Sequence, residues 1–188
     1  MKHHIFYMAA GNSRRFGGNK LLFLYEGKRL FEYGLETVRA VADSRPDCDL
    51  IVVTQYAEIR EYCRDRGIRA VDSPQSVHGM SYTIRACISS IQPETGDDML
   101  FVVADQPKLS TATLQRLLDV GGKEQCFETA SVVYRGQPGN PTRIACRFIP
   151  ELLALQGDEG GRKVIRKHRC IYVEAVDAQE LVDIDVLP

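Results

Sequence analysis

A long apolar run, an excess of one charge and a paired-cysteine motif are all missing from this 188-residue chain, and each absence removes a class of function. No stretch approaches the ~18 apolar residues of a membrane span, and the start Met1-Lys2-His3-His4 lacks the apolar core of a secretory signal. A cytoplasmic protein without a membrane partner is therefore expected. The 24 basic and 25 acidic residues leave a net charge of −1, without the general electrostatic footprint of a nucleic-acid binder, so no nucleic-acid partner is expected and any basic site must be local. Cys48, Cys63, Cys87, Cys126, Cys146 and Cys170 are scattered with no Cys-x-x-Cys spacing. That argues against a zinc knuckle or dithiol redox centre and for ordinary reduced thiols. His3 and His4 resemble a metal pair, but adjacent strand residues face opposite sides, and neither is assigned a role.

A hydrophobic content of 44% over this length is enough for one α/β domain covering residues 1–188. Strand-like runs recur at 5–9, 50–54, 68–71, 99–104 and 130–134, and helices are predicted at about 29–42, 56–66, 80–91 and 110–120, the last capped by Ser110. This alternation predicts a mainly parallel sheet covered on both faces. After residue 121 the pattern loosens. A segment Arg135-Gly136-Gln137-Pro138-Gly139-Asn140-Pro141 precedes a short strand near 142–146, a helix near 148–155, a basic helix near 162–168 and strands near 170–176 and 181–185. No disordered linker separates a first half (about 1–120) from a second (about 121–188).

The segment Ile5-Phe6-Tyr7-Met8-Ala9-Ala10-Gly11-Asn12-Ser13-Arg14-Arg15-Phe16-Gly17-Gly18-Asn19-Lys20 carries the most information. An apolar strand opens into a loop whose small residues let backbone N–H groups approach an anion, while Arg14, Arg15 and Lys20 supply fixed charge. A solvated strand-to-helix turn is the plain alternative. The loop lacks the Gly-Lys-Ser/Thr ending of a Walker loop and the spacing of the dinucleotide pattern.

Leu100-Phe101-Val102-Val103-Ala104-Asp105 is an apolar strand ending in a carboxylate, and ligands of open parallel sheets bind beyond the carboxyl ends of strands. Asp105 is thus a candidate ligand for a hard cation such as Mg²⁺, or simply a turn former. Val182-Asp183-Ile184-Asp185 places two carboxylates at period two, on one face of a strand, unless it is a frayed end. Gly79-Met80-Ser81-Tyr82-Thr83 reads as a helix start whose hydroxyls suit a base edge or ribose, or as a plain N-cap. Arg162, Lys163, Arg166, Lys167 and Arg169 form a basic run, either a solvated face or a phosphate contact aided by Gly160-Gly161.

Met8, Ala10, Gly11, Ser13, Arg15, Phe16, Gly17 and Lys20 follow the signature of nucleotidyltransferases that make nucleotide-activated compounds. Together with Ala104-Asp105-Gln106-Pro107, the Gly136 to Pro141 segment and Asp183-Ile184-Asp185, the chain resembles the molybdenum cofactor cytidylyltransferases and their guanylyltransferase relatives across residues 5 to 185. The resemblance implies a Rossmann-like nucleotidyltransferase fold, a three-layer sandwich with a mainly parallel sheet. It also implies Mg²⁺-dependent transfer of CMP from CTP to the terminal phosphate of molybdopterin, with a molybdenum-dependent hydroxylase as recipient of the product.

By position in that pattern, Ala9, Ala10, Gly11, Asn12, Ser13, Arg15, Lys20, Ser81, Thr83 and Asp105 would bind the nucleotide. Lys20, Arg15 and Asp105 would carry catalysis, Asp105 and Asp185 the metal, and Gly139, Asn140, Pro141 and Arg162 the acceptor. Ala10, where the guanylyl branch has glycine, is similar to the cytidylyl branch. Asn140 stands where many cytidylyltransferases have histidine, Asn19 replaces an acidic residue, and Val186-Leu187 replace the usual Thr-Pro. A guanylyltransferase, a nucleotidyltransferase with a sugar or polyol phosphate acceptor, and a non-catalytic molybdopterin carrier are the competing readings.

Overall fold

Alternation along the first strand builds the two cores of the molecule. The computed structural model describes residues 1–12, 18–121 and 127–184. Strand β1 (His3–Met8) is buried at every position. Its Ile5 and Tyr7 join one apolar cluster and its Phe6 and Met8 the other, as period-two geometry requires of a central strand.

A small hairpin of β2 (Leu24–Tyr25) and β3 (Lys28–Arg29) leads into α1 (Leu30–Asp43), followed by β4 (Cys48–Thr54), α2 (Ala57–Asp65), β5 (Ala70–Asp72), α3 (Met80–Ser89), β6 (Asp98–Val103) and α4 (Thr111–Asp119). The second half contributes β7 (Thr129–Tyr134), β8 (Gln137–Ala145), α5 (Ile149–Leu153), α6 (Arg162–Ile165) and β9 (Cys170–Glu174). Among the described residues the main sheet has seven strands in the order β5-β4-β1-β6-β8-β7-β9. Within it β8 is the strand that runs against its neighbours. Helices α1, α2 and α4 pack on the Ile5/Tyr7 face, and α3, α5 and α6 on the Phe6/Met8 face, giving the three layers expected from the sequence. Phe6 sits opposite Ile51 and Phe101, and its ring stacks on Phe101 with centroids 5.6 Å apart.

The first half follows the expected elements closely, because its amphipathic helices bury regular stripes. In α1 the stripe is Leu30, Phe31, Leu35, Val38 and Val41; in α4, where Ser110 does cap, it is Leu114, Leu117 and Leu118.

The second half departs in four places. β8 begins at Gln137, not near 142, so Gly139, Asn140 and Pro141 lie on a strand. The turn is only Arg135-Gly136, both at positive φ (47° and 79°), as a two-residue hairpin demands. Pro138 and Pro141 disguised this strand. It tolerates them because the ladder to β6 starts only at Thr142 and the register with β7 shifts between Ser131 and Val133. The expected strand at 181–185 is absent over its described part. A 3₁₀ turn spans Ala178–Leu181, capped by Asp177, and Val182 to Ile184 are irregular. Polar side chains there find closer partners than a ladder: Glu180 accepts from Ser110 Oγ at 3.1 Å. Finally, the helices expected at 148–155 and 162–168 shrink to α5 and α6, each near a glycine-rich or 3₁₀ segment that cannot extend it.

At the foot of the sheet, away from the loops that follow β1 and β6, the Arg143 side chain is fully buried. Its Nη2 donates to Asp98 Oδ2 at 2.7 Å and its Nη1 to the carbonyls of Leu117, Leu118 and Val120, the orphan acceptors at the end of α4. The same carboxylate lies 2.9 Å from His3 Nδ1. His4, also buried, sits 3.4 Å from Asp97 and 3.7 Å from Asp49. Both histidines are therefore parts of a buried carboxylate network. Cys48, Cys63, Cys87, Cys146 and Cys170 are unpaired, and burial pushes the Cys63 thiol up to about 11 and those of Cys48 and Cys146 to about 12. Among the described residues no helix is long and apolar enough to cross a membrane.

Candidate functional site

Parallel pairing of β1 with β6 ends at Met8 opposite Val103, so the chain leaves both strands at the same end of the sheet. One exit is Ala9-Ala10-Gly11-Asn12; the other is Ala104-Asp105. Between them lies a cleft of about 240 Å³, lined on the loop side by Ala10, Gly11, Asn12 and Lys20 and on the strand side by Ala104 and Asp105. Ser76, Gly79, Met80 and Thr83 form the wall beyond.

Lys20 and Asp105 meet across this cleft, with Nζ 2.8 Å from Oδ2 and side chains only 10% and 22% exposed. Lys20 heads the 3₁₀ turn Lys20–Leu22, which Asn19 caps by accepting the Leu21 N–H at 3.1 Å, while buried Leu21 roots the turn in the core. The Asn19 side chain thus serves the turn that presents Lys20. The second oxygen of Asp105, Oδ1, is buried without a hydrogen-bond donor among the described residues. A bare carboxylate oxygen in a cleft is the donor type that hard divalent cations take. Beneath it, burial and the nearby Asp105 charge hold the Tyr7 phenol well above its ordinary value, and its hydroxyl donates to the Phe31 carbonyl at 2.6 Å.

The loop after β1 is held from one side by three consecutive residues that sequence reasoning missed. Thr54 Oγ1 donates to the Ala9 carbonyl (2.6 Å), Gln55 Nε2 to the Ala10 carbonyl (2.7 Å) and Tyr56 Oη to the Gly11 carbonyl (2.6 Å). Gln55 Nε2 also reaches Asn12 Oδ1 at 3.0 Å, and Asn12 Nδ2 donates to the Val77 carbonyl at 3.0 Å. The available signal was position: Thr54 ends β4 and Gln55-Tyr56 follow it, at the same carboxyl end as Asp105.

On the far wall the structure separates the two hydroxyls expected near the base. Thr83 lines the cleft and donates to Ser76 Oγ at 2.8 Å, with Ser76 in turn 2.5 Å from Ser73 Oγ. Ser81 does not line it; its side chain is fully buried and its N–H bonds the Gly157 carbonyl at 3.0 Å. Ser76 stands in the wall where Ser81 was expected. Ala9 likewise stays off the cleft, fully buried in the apolar cluster of Ile5 and Tyr7.

Gly79, which opens α3, has φ 126° and ψ 175°, a region open essentially to glycine alone. A Cβ there would lie 2.5 Å from the Gly157 carbonyl, which brings the 157–158 turn onto the cleft and places Asp158 in its lining. That turn reads in the sequence only as a separator. Gly79→Ala is expected to lower unfolding stability by about 1–3 kcal/mol in urea titrations; an unchanged midpoint would contradict the close packing.

The four residues expected for the acceptor are brought near one another but not into the cleft lining. Arg162 Nη2 donates to the Pro138 carbonyl at 3.0 Å, next to Gly139, Asn140 and Pro141, and the Asn140–Pro141 peptide is cis. Gly139 packs against Leu181, where a Cβ would come within 2.8 Å. Of the basic run, Lys163 pairs with Glu159 and Lys167 lies 3.5 Å from Glu151, so it is largely a paired, solvated face. Ser13, Arg14, Arg15, Phe16, Gly17 and Asp185 lie outside the described residues. The closing segment nonetheless reaches the site: the Ile184 N–H donates to the Asp105 carbonyl at 3.0 Å, and Gln106 Nε2 donates to Asp183 Oδ1 at 2.8 Å. Among the described residues no group of three or more His, Cys, Asp and Glu side chains is arranged to hold a metal.

Comparison with known proteins bears on the family and the fold. A family model described as the MobA-like NTP transferase domain matches residues 5–171. The purine catabolism protein PucB of Bacillus subtilis is 27% identical over 190 residues, covering 95% of this chain and 89% of PucB. In structure the chain is similar to Rv0371c of Mycobacterium tuberculosis, with a TM-score of 0.76 and 24% identity over 99% of this chain and 94% of that one. Rv0371c is also known in complex with manganese, where the TM-score is 0.72 at 22% identity over 93% and 89% of the two chains. A nucleotidyl transferase of Methanothermobacter superposes with a TM-score of 0.77 at 21% identity, covering 98% and 92%. At such identities the structural likenesses establish the fold.

Proposed function

The chain belongs to the MobA-like NTP transferase family, and on that premise we propose that it transfers CMP from CTP to the terminal phosphate of molybdopterin, releasing pyrophosphate. The observation that carries the reading is the Lys20–Asp105 pair, held across a cleft between a small-residue loop and the end of β6.

Nucleotidyl transfer needs no covalent intermediate, since positioning and neutralisation of moving charge do most of the work. The loop 9–12 would receive the triphosphate on its backbone N–H groups, with Arg15 on the departing pyrophosphate. Lys20 would leave Asp105 to stabilise charge developing between the α- and β-phosphates. Ser76 and Thr83 would face the nucleoside, and Asp105, with its unpartnered Oδ1, would be a ligand of Mg²⁺ together with Asp185. The cation would supply Lewis-acid neutralisation of phosphate oxygens. An acceptor phosphate is already ionised and needs no general base; Gly139, Asn140 and Pro141 on β8 and Arg162 on α6 would hold it beside the cleft.

Ala10, in place of the glycine of the guanylyl branch, supports cytosine as the base. The description of PucB as a purine catabolism protein supports a molybdenum-dependent hydroxylase as recipient, since purine breakdown requires oxidation of ring carbons. The test is pyrophosphate release with CTP, GTP or ATP in the presence of Mg²⁺ and molybdopterin. Release with CTP at least tenfold above GTP is expected, accompanied by a larger rise in Tm on titrating CTP than GTP. Preference for GTP would move the enzyme to the guanylyl branch, and nucleotide-independent binding of molybdopterin with no release would make it a carrier.

A further inference from the structure

We propose that Thr54, Gln55 and Tyr56 are positioning residues that shape the loop after β1 into a phosphate cradle by drawing three successive carbonyl groups away from the cleft. The inference rests on the nucleotidyl-transfer reading above and assigns the β4–α2 turn a part in it.

Carbonyls of an extended chain alternate sides along a strand. The Ala9, Ala10 and Gly11 carbonyls are instead all taken by one stretch of chain, the last residue of β4 and the two that follow it, at 2.6, 2.7 and 2.6 Å. In a trans peptide the C=O of one residue and the N–H of the next point in opposite directions. Holding these three carbonyls therefore aims the N–H groups of Ala10, Gly11 and Asn12 away from the β4–α2 turn, and these are the loop residues that line the cleft. None of the three N–H groups donates to another described residue. Consecutive N–H groups turned to one side form a concavity suited to an anion.

The sheet itself cannot do this. Its last bond between these strands runs from the Ala9 N–H to the Val53 carbonyl at 2.8 Å, and beyond it the ladder is over. Without the clamp the freed carbonyls could rotate into the cleft and oppose phosphate oxygens. All three clamping groups are uncharged, so they act on the loop's shape rather than on its charge. Asn12 ties the same loop to the opposite wall: its Oδ1 accepts from Gln55 and its Nδ2 donates to the Val77 carbonyl.

A preshaped loop that binds substrate and transition state alike changes KM rather than kcat. Gln55→Ala is expected to raise KM for CTP about tenfold and to leave kcat within about twofold. Tyr56→Phe, which removes one hydroxyl from an accessible position, is expected to raise KM about threefold with Tm unchanged, and serves if Gln55→Ala folds poorly. Gln55→Glu keeps the shape but cannot donate, so its loss should equal or exceed that of Gln55→Ala. Calorimetry with inorganic tripolyphosphate, which has no base, should show the same weakening as CTP, because the clamp acts on the phosphate loop. Unchanged KM and tripolyphosphate affinity in folded Gln55→Ala and Tyr56→Phe variants would overturn the clamp alone. Wild-type protein that binds neither CTP nor tripolyphosphate would overturn both the clamp and the nucleotidyl-transfer reading.

Discussion

Replacing Lys20 by alanine is expected to cut kcat of pyrophosphate release by about a hundredfold or more, equivalent to at least ~2.7 kcal/mol of transition-state stabilisation, the value of one dedicated oxyanion donor. The size follows from the setting. Lys20 is 8% exposed, at the head of a turn rooted by Leu21 and capped by Asn19, so its ammonium has little freedom and little water around it. Charge-assisted bonds in such a place are worth more than at the surface. In the proposed cycle the ammonium passes from Asp105 Oδ2, 2.8 Å away, to phosphate oxygens whose charge grows only as the bond to the α-phosphorus breaks, so the loss should fall on kcat more than on KM. Lys20→Arg keeps the charge but must fit a larger planar group into a buried place, and should recover only part of the rate. The measurement is steady-state turnover at saturating CTP with Tm as the folding control. A folded Lys20→Ala enzyme within a few fold of wild type would remove Lys20 from the reaction.

The largest stability loss is expected at the opposite end of the sheet, in Arg143→Met. This side chain is fully buried, and removing its guanidinium strips Asp98, 1% exposed, of its strongest partner while freeing the carbonyls of Leu117, Leu118 and Val120. Breaking one member of a buried ion pair typically costs about 3–5 kcal/mol, because the surviving charge is left in a poorly solvating interior. Among the described residues His3 remains beside the Asp98 carboxylate, with Nδ1 2.9 Å from both oxygens. For a chain of this length each kcal/mol corresponds to about 2–4 °C in Tm, so a drop of roughly 10 °C is the expected reading. The double variant Asp98→Asn/Arg143→Met should recover part of the loss by removing the stranded charge. Catalysis supplies the converse check. The network lies at the start of β6 and the cleft at its end, so folded Arg143→Met should keep kcat within a few fold. A loss of turnover without a fall in Tm would refute a structural role.

The second half of the chain shows why the sequence reading weakened where it did. Helices α1 and α4 were legible because each buries a regular apolar stripe, and β1 and β6 because a strand covered on both faces is apolar throughout. The prolines of β8 argue against a central strand, and only its pairing shows that they fall beyond the β6 ladder and at a register shift. Over its described part the strand expected at 181–185 failed for another reason: its alternation was real, but Asp177, Glu180 and Asp183 each have a local or long-range hydrogen-bond partner that a sequence does not display.

From its residues alone the chain determined a mainly parallel α/β fold, a small-residue loop after the first strand with a lysine behind it, and a carboxylate at the end of β6. Those features depend on periodicity and composition within single segments, which chain order preserves. Only the tertiary structure decided which groups meet. It paired Lys20 with Asp105 across 85 positions, set Thr54, Gln55 and Tyr56 on the carbonyls of Ala9, Ala10 and Gly11, turned Ser81 inward in favour of Ser76, and laid Asp158 against the cleft. Hydrogen bonds of that kind require donor and acceptor within about 3 Å in a favourable direction. Packing of separate strands and helices creates that proximity, and the order of residues along the chain does not encode it in any local pattern.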